Sequence, residues 1–202
     1  MIEVLFAMSW VLAAYLIGSI SSAILTCRLM GLQDPRSLGS GNPGATNVLR
    51  SGSKKAAIIT LLGDVLKGLA PVLLAQLAGI SGLWLALVAL AAFLGHLFPL
   101  YHGFKGGKGV ATALGVLLAL HWLTGLLVLL TWLLSAALTR YSSLSALLAA
   151  LLAPLYVYLT THDPWLTGTA VIMSVLVFIR HRRNIANLLA GTEPRIGKKA
   201  SS

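Results

Sequence analysis

Long apolar runs, separated by short polar segments, dominate this chain and limit what it can fold into. Seven runs can be traced, at about 4–26, 56–79, 82–101, 110–120, 122–139, 143–160 and 165–180. A helix needs about 20 mostly apolar residues to cross the hydrocarbon core of a bilayer. Only 10% of the residues are charged and 57% are apolar, whereas soluble domains have about 25% and about 45–50%. The sequence therefore predicts an all-α integral membrane protein.

The positive charges follow the ends of alternate runs. The chain has 15 Lys and Arg against 5 acids, and nearly all of these cations fall in the segments 27–55, 102–109, 140–142 and the tail from Arg180 to Lys199. The intervening segments carry Glu3, His121, His162 and Asp163. Because Lys and Arg concentrate in cytoplasmic loops, we expect seven transmembrane helices, some of them short, with the N-terminus outside and the C-terminus cytoplasmic. This placement also argues against nucleic acid as the partner of so basic a chain.

The stretch 110–139 decides the number of spans. As one long helix it would place Arg140 and the tail on the side opposite Lys105 and Lys108. Two short spans, broken near His121 and Trp122, keep all of these charges on one face. We therefore expect a single polytopic domain over 1–202, with cytoplasmic motif loops at 27–55, 102–109 and 181–202.

Polar residues cluster in three of the inner segments, and the first reads Gly-Ser-Gly-Asn-Pro-Gly-Ala-Thr-Asn-Val-Leu-Arg over 39–50. Glycines at this density can expose consecutive backbone N–H groups that fold round an anion, and the arginine adds a fork suited to phosphate. An ordinary loop rich in turn formers is the alternative. The candidate site residues here are Ser40, Gly41, Asn42, Gly44, Thr46, Asn47 and Arg50.

The second segment, 103–109, places four glycines and two lysines directly before a predicted helix. Glycine-rich loops at helix N-termini can hold phosphate. The segment is not a Walker A loop, because Lys108 is followed by glycine rather than Ser or Thr. Tight turns and orientation by positive charge are the alternative explanation. The candidates are Gly106, Gly107, Lys108, Gly109 and Thr112.

The third segment follows the last run, where His181 and Asn184 are spaced to share one helical face. Together they could orient a hydroxyl or an oxyanion, although a basic helix end can also simply anchor anionic lipid headgroups. The flanking arginines are expected to lower the pKa of His181. Glu193 is expected to pair with an arginine and to hold the tail against the site.

Asp64 and Lys67 lie inside the second apolar run, where each charge is costly. Their spacing lets them offset one another. A buried structural pair, the wall of a polar cavity and a proton relay all remain open. No pair of histidines has metal-ligand spacing with a carboxylate or Cys, so no metal site is expected.

Taken together, the three segments resemble the bacterial acyl-phosphate:glycerol-3-phosphate acyltransferases (PlsY). The resemblance rests on Gly39–Asn42, Gly44–Asn47 and Arg50, then on Gly106–Thr112, then on His181, Asn184 and Ile185. It implies a seven-helix bacterial inner-membrane enzyme with its active site on the cytoplasmic face. Such enzymes move a fatty acyl group from acyl phosphate to the 1-hydroxyl of sn-glycerol 3-phosphate, giving lysophosphatidic acid and phosphate. Besides these substrates and membrane lipids, the resemblance implies no cofactor and no obligate protein partner.

Residue by residue, the resemblance implies that Ser40, Arg50 and Lys108 hold substrate phosphate and that His181 and Asn184 lie near the glycerol hydroxyl. The family's site serine is carried to Ser143, with Ser142 as the alternative. Of these, His181, Asn184, Ser40 and Arg50 are expected to be catalytic, and Asp64, Lys67 and Glu193 to support them. The proton acceptor is either His181 or a substrate phosphate oxygen. Asn187 departs from the family pattern, which has a basic residue there.

An anion transporter is the alternative from another functional class. Glycine-broken helices and lone intramembrane charges also occur in transporters. Here the glycine motifs lie in predicted loops rather than at the middle of the membrane, which favours an enzyme.

Overall fold

The computed structural model describes residues 1–50 and 52–196, and the regular structure in this part of the chain is helical throughout. The all-α prediction is confirmed for these residues. The predicted tail charges Lys198 and Lys199 lie outside them. The α-helices are α1 (Ile2–Gly18), α2 (Ser22–Leu29), α3 (Ala45–Arg50), α4 (Lys54–Leu77), α5 (Gly82–Leu97), α6 (Val110–Leu120), α7 (Trp122–Thr139), α8 (Ser142–Thr161), α9 (Pro164–Arg180) and α10 (Arg182–Leu189).

Four to six spans are supported by helix length and composition. The helices α4, α7 and α8, and α5 with the turn that follows it, are each long and apolar enough to cross a membrane. Two bent pairs, α1 with α2 (45°) and α9 with α10 (59°), would each count as one more span. The 11 residues of α6 are too few for the same test. The predicted count of seven is therefore not established by these lengths.

The first predicted span is broken rather than straight. α1 ends at Gly18, and the Ser21 side chain accepts a hydrogen bond from the Ile24 N–H at the start of α2. A Cβ on Gly18 would overlap the carbonyl of Ala92, so α1 and α5 pack backbone to backbone there. Small residues permit this approach between membrane helices.

The predicted break between the fourth and fifth spans is confirmed. α6 ends at Leu120 and α7 begins at Trp122, while His121 between them is extended. On its other side α6 packs closely on α4, because a Cβ on Gly115 would overlap the Val65 carbonyl. The break returns the chain to the end of the bundle where α6 began.

The three motif segments meet at this end of the bundle. The first lies against the start of α8, where the Thr46 hydroxyl is 3.4 Å from that of Ser142. The second leads directly into α6, and the third forms the turn between α9 and α10. Large apolar side chains such as Leu134 and Leu151 point outward along the helices, as expected for a chain in contact with lipid.

Candidate active site

A hydrogen-bonded network links residues that are far apart in the sequence. The Lys108 ammonium donates to the side-chain carbonyl of Asn184, and the Asn184 amide donates to Glu193 Oε1 at 2.7 Å. The Ser143 hydroxyl donates to the same carboxylate oxygen at 2.6 Å. Ser143 and Glu193 are both buried. The network therefore brings a cation, an amide, a carboxylate and a hydroxyl together at one place.

This network distinguishes between the two candidate serines. Ser143 lies inside it, whereas Ser142 faces Thr46 of the first segment. The assignment of the site serine to Ser143 is therefore the one that the geometry favours.

The tail is held by Glu193, but not in the way that the sequence suggested. Within the part of the chain that the structure describes, Glu193 forms no ion pair with an arginine. The Asn187 side chain donates to Glu193 Oε2 at 3.3 Å, and the Asn187 carbonyl accepts from the Thr192 N–H at 2.8 Å. Asn187 thus closes the turn that returns Glu193 to the network.

His181 is buried at the turn between α9 and α10, and its tautomer is fixed by one hydrogen bond. Its Nδ1 lies 2.8 Å from the carbonyl oxygen of Val177. Because a carbonyl can only accept, Nδ1 carries the proton and Nε2 is left as an acceptor. The pKa of His181 is lowered to about 4, first by burial and then by the Lys108 charge. The expected direction is confirmed, but the cause is burial and Lys108 rather than the flanking arginines.

Lys108 is half-buried, and its surroundings are strongly cationic. Burial lowers its pKa, and Arg50 and Arg180 lower it further, while Glu193 opposes them. Arg50 itself is exposed at the end of α3. Besides the Glu193 carboxylate, a further anion such as a substrate phosphate would therefore be attracted to the space between Lys108, Arg50 and Arg180.

The second glycine loop is held by backbone contacts that the nest prediction did not foresee. The Gly106 N–H donates to the Leu97 carbonyl and the Gly107 N–H to the His96 carbonyl, each at 3.2 Å. On the opposite side, Arg180 donates to the Gly106 carbonyl at 2.6 Å and to the Gly107 carbonyl at 3.0 Å. These two N–H groups are therefore bonded to α5, and the substrate-binding roles of Gly106 and Gly107 stay predictions.

Close packing and a positive φ are the reasons for glycine at position 109. Gly109 has φ +85°, and a Cβ there would overlap the Phe93 ring. Thr112 is fully buried, and a Cβ on Gly68 of α4 would overlap its carbonyl. Its hydroxyl has no hydrogen-bond partner among the described residues. The substrate-binding roles of Gly109 and Thr112 stay predictions.

The first glycine loop is closed by one of its own side chains. Asn47 is buried; its Oδ1 accepts from the Ser40 N–H at 3.0 Å, and its Nδ2 donates to the carbonyls of Pro35 (2.7 Å) and Leu38 (3.0 Å). The Gly41 N–H bonds to Leu38 as well, at 2.9 Å.

Asn47 therefore holds the loop rather than facing a ligand, and the N–H groups of Ser40, Gly41 and Gly44 are also used inside it. The substrate-binding roles predicted for these residues stay predictions. The side chains of Ser40 and Arg50 are exposed, and Asn42 is half-buried.

An apolar groove opens beside the network, between α6, α8 and α9, with Val128 of α7 at its wall, and its empty volume is about 400 Å³ when the space open to solvent is included. Val110, Ala146 and Val177 line the end next to the polar residues. Ala146 lies one helical turn beyond Ser143, and Val177 supplies the carbonyl that His181 binds. The groove thus runs from the network into the apolar part of the bundle.

Asp64 and Lys67 form a buried ion pair, with Lys67 Nζ 2.8 Å from Asp64 Oδ1. Their predicted mutual compensation is confirmed, and His96 of α5 is added to the pair. Sequence reasoning missed the contacts of His96 and Arg180, both of which hold the second loop. A basic residue at a helix end was a signal for Arg180, but it indicated only lipid anchoring. In residues 1–50 and 52–196, no group of three or more His, Cys, Asp or Glu could hold a metal ion.

Comparisons with known proteins agree with this geometry. A family model described as glycerol-3-phosphate acyltransferase matches residues 8–191. The chain is 62% identical over 198 residues to a glycerol-3-phosphate acyltransferase of Thioalkalivibrio sulfidiphilus, covering 98% of both chains. It is 60% identical over 192 residues to one of Ralstonia pickettii, covering 93% of both.

Two solved structures of PlsY, an integral membrane glycerol 3-phosphate acyltransferase, have a similar fold. The glycerol 3-phosphate form has a TM-score of 0.90 at 41% identity and covers 95% of this chain and 96% of its own. The lysophosphatidic acid form has a TM-score of 0.88 at 40% identity and covers 95% of each.

Proposed function

The chain belongs to the glycerol-3-phosphate acyltransferase family, and from this premise we propose that it transfers a fatty acyl group from acyl phosphate to the 1-hydroxyl of sn-glycerol 3-phosphate. The products are lysophosphatidic acid and inorganic phosphate. The relatives named glycerol-3-phosphate acyltransferase support glycerol 3-phosphate as the acceptor. The glycerol 3-phosphate and lysophosphatidic acid forms of PlsY support the same acceptor and lysophosphatidic acid as the product. The donor is the one that the resemblance of the three motif segments implies.

One observation carries the proposal: a cationic polar network stands at the mouth of an apolar groove. Lys108, Arg50 and Arg180 supply positive charge at this end of the bundle, and the groove beside it accepts an alkyl chain. A substrate with a phosphate at one end and a fatty chain at the other fits such a boundary. The N-terminus of α6, two residues after Lys108, adds its partial positive charge.

The residues divide the two substrates between them. The first loop, with the exposed side chain of Ser40, holds the phosphate of the acyl donor. Arg50, Lys108 and Ser143 hold glycerol 3-phosphate, whose phosphate competes with Asn184 for Lys108 and with Glu193 for Ser143. An acyl phosphate is already activated, so the protein contributes mainly orientation, which can lower a barrier by up to about 7–11 kcal/mol.

Proton transfer falls to the substrate rather than to His181. With a pKa of about 4, His181 is a weak base at neutral pH. His181 and Asn184 flank the glycerol hydroxyl and orient it, so that its single proton is free to pass to the phosphate. The hydroxyl oxygen attacks the acyl carbon, and the bond from that carbon to the phosphate oxygen breaks. The electron pair leaves with the phosphate, which also takes the proton.

The proposed setting is the bacterial inner membrane. The short helix α6 and the two bent pairs add to the four long helices to give seven spans, with the N-terminus outside. The network end of the bundle then faces the cytoplasm, since that end carries the cations. Such an orientation gives the site access to cytoplasmic glycerol 3-phosphate.

A donor comparison tests the proposal. The purified protein receives radiolabelled glycerol 3-phosphate with either palmitoyl phosphate or palmitoyl-CoA, and lysophosphatidic acid is measured. We expect product from palmitoyl phosphate alone. Product from the CoA ester alone would contradict the assignment of acyl phosphate as the donor. Label that crosses a vesicle membrane unaltered would favour a transporter.

A further inference from the structure

A buried trio of ionisable residues lies beside the second glycine loop but outside the polar network. Asp64 and Lys67 of α4 form an ion pair, and His96 Nδ1 lies 3.6 Å from the same Asp64 oxygen. All three side chains are buried, with exposures of 2%, 7% and 7%. Ionisable groups at such depth in a membrane protein are costly and are usually retained for function.

The trio contacts the loop through His96. The His96 carbonyl accepts the Gly107 N–H, and the ring lies directly beneath this glycine. A Cβ added at Gly107 would overlap Nε2, Cε1 and Cδ2 of the ring, and no other atoms lie among its three nearest. A Cβ at Gly106 would instead overlap the His96 carbonyl oxygen, which is backbone. The position of the ring therefore determines where Gly107 can lie.

Lys67 connects the trio to the break in the first span. Its ammonium donates to the Ile20 carbonyl at 2.7 Å, between α1 and α2. A small pocket at this point, about 170 Å³ with the space open to solvent included, is lined by Lys67, His96, Gly107 and Pro43 of the first loop, among others. The trio thus lies where the broken span and both glycine loops meet.

From this geometry we propose that Asp64, Lys67 and His96 are positioning residues. They set how closely the second glycine loop approaches α5 and, through this distance, the position of the Lys108 ammonium. Asp64 orients the His96 ring, and the ring supports Gly107. Lys108 is the next residue, so a shift of the loop moves its ammonium away from Asn184. This inference rests on the proposed function, because the loop is taken to present Lys108 to glycerol 3-phosphate.

A rescue experiment separates this role from general stability. Gly107→Ala should lower kcat/KM about 100-fold, the scale expected for a misplacement of about 1 Å, mainly through KM for glycerol 3-phosphate. His96→Ala alone should lower it about 10-fold, a smaller loss since the loop keeps its backbone bonds. In the double variant His96→Ala/Gly107→Ala, the space left by the ring accepts the new methyl group. Its activity should therefore match that of His96→Ala alone.

Gly106→Ala is the matched control. Its methyl group meets the backbone of His96, which the His96→Ala change leaves in place. The cost of Gly106→Ala should therefore be the same in both backgrounds. The inference is overturned if Gly107→Ala costs the same factor with and without the ring, or if Gly106→Ala is rescued equally well.

The unfolding temperature in detergent, measured on the same five variants, keeps the inference testable without turnover. Gly107→Ala should lower it, and the His96→Ala background should remove that difference while leaving the one for Gly106→Ala. If the wild type makes no lysophosphatidic acid, the proposed function fails. The melting pattern then still supports or overturns the contact between His96 and the loop.

Discussion

The two glycine loops look alike in sequence, but they are held by different means. The loop at 39–50 is closed by one of its own side chains, since Asn47 bonds to the Ser40 N–H and to the carbonyls of Pro35 and Leu38 just before the loop. The loop at 103–109 is held from outside, by α5 on one side and by Arg180 of α9 on the other. The first loop can therefore keep its conformation when neighbouring helices move. The conformation of the second loop depends instead on the relative position of α5 and α9.

The largest expected effect concerns the side chain that the second loop presents. Lys108→Ala should lower kcat/KM by about 100- to 1,000-fold, the range found when one preorganised donor to a developing charge is removed. Lys105→Ala is the control, because Lys105 lies in the same loop and is exposed. Steady-state kinetics with glycerol 3-phosphate as the varied substrate would measure both. Equal losses in the two variants would mean that only the net charge of the loop matters.

Arg180→Lys tests whether the second loop depends on support from outside. A lysine ammonium cannot reproduce the paired bonds of the guanidinium to the Gly106 and Gly107 carbonyls. We expect about a 10- to 100-fold loss of kcat/KM, as for other displacements of the loop. Arg182→Lys, at an exposed position in the next turn, should change little. Activity of Arg180→Lys near that of wild type would show that α5 holds the loop alone.

Asn47→Ala tests the first loop in the same way. Two carbonyls lose the donor that Asn47 provides, and each such loss costs about 1–3 kcal/mol when the group stays buried. Hydrogen exchange should increase within 35–50 and stay unchanged within 103–109. Gln33→Ala, at an exposed position before the loop, serves as the control. Faster exchange in both loops would contradict their independence.

The smallest expected effect is electrostatic. The charge of Lys108 lowers the pKa of His181, so Lys108→Ala should raise that pKa above about 4, while Asn47→Ala should leave it unchanged. The stability of the wild type should fall as the pH drops from about 6.5 towards 4. Between these two pH values the His181 imidazole is protonated in the unfolded chain but stays neutral in the folded protein, so protonation favours unfolding. NMR titration of the imidazole would follow the pKa, and melting curves at several pH values would follow the stability.

The sequence predicted the parts of this structure that depend on local pattern. The lengths of the apolar runs predicted the helices. The placement of Lys and Arg after alternate runs predicted the break at His121. The motif segments that share the same charge also meet at one end of the bundle. Asn184 and Ser143 were identified as site residues, and the structure joins both to Glu193.

The contacts that sequence reasoning missed depend on three-dimensional packing. Composition alone does not determine which carbonyl a glycine N–H will bond to. The glycine-rich pattern therefore indicates free N–H groups, and with them an anion nest, at both loops. Ser143 and Glu193 are 50 positions apart, and no local pattern indicates such a pair. The position of His96 near the second loop follows from the order of the chain, but the contact of its ring with Gly107 does not. The bend after Gly18 likewise depends on how closely α1 approaches α5.

The most direct test of the central claim is a stoichiometric time course. Palmitoyl phosphate and glycerol 3-phosphate are mixed with the purified wild type, Lys108→Ala or Lys105→Ala, and lysophosphatidic acid and inorganic phosphate are both measured. We expect the wild type and Lys105→Ala to release the two products in equal amounts, and Lys108→Ala to release almost none of either. Phosphate released without lysophosphatidic acid, or equal activity in all three proteins, would contradict a single acyl-transfer site built on the second loop.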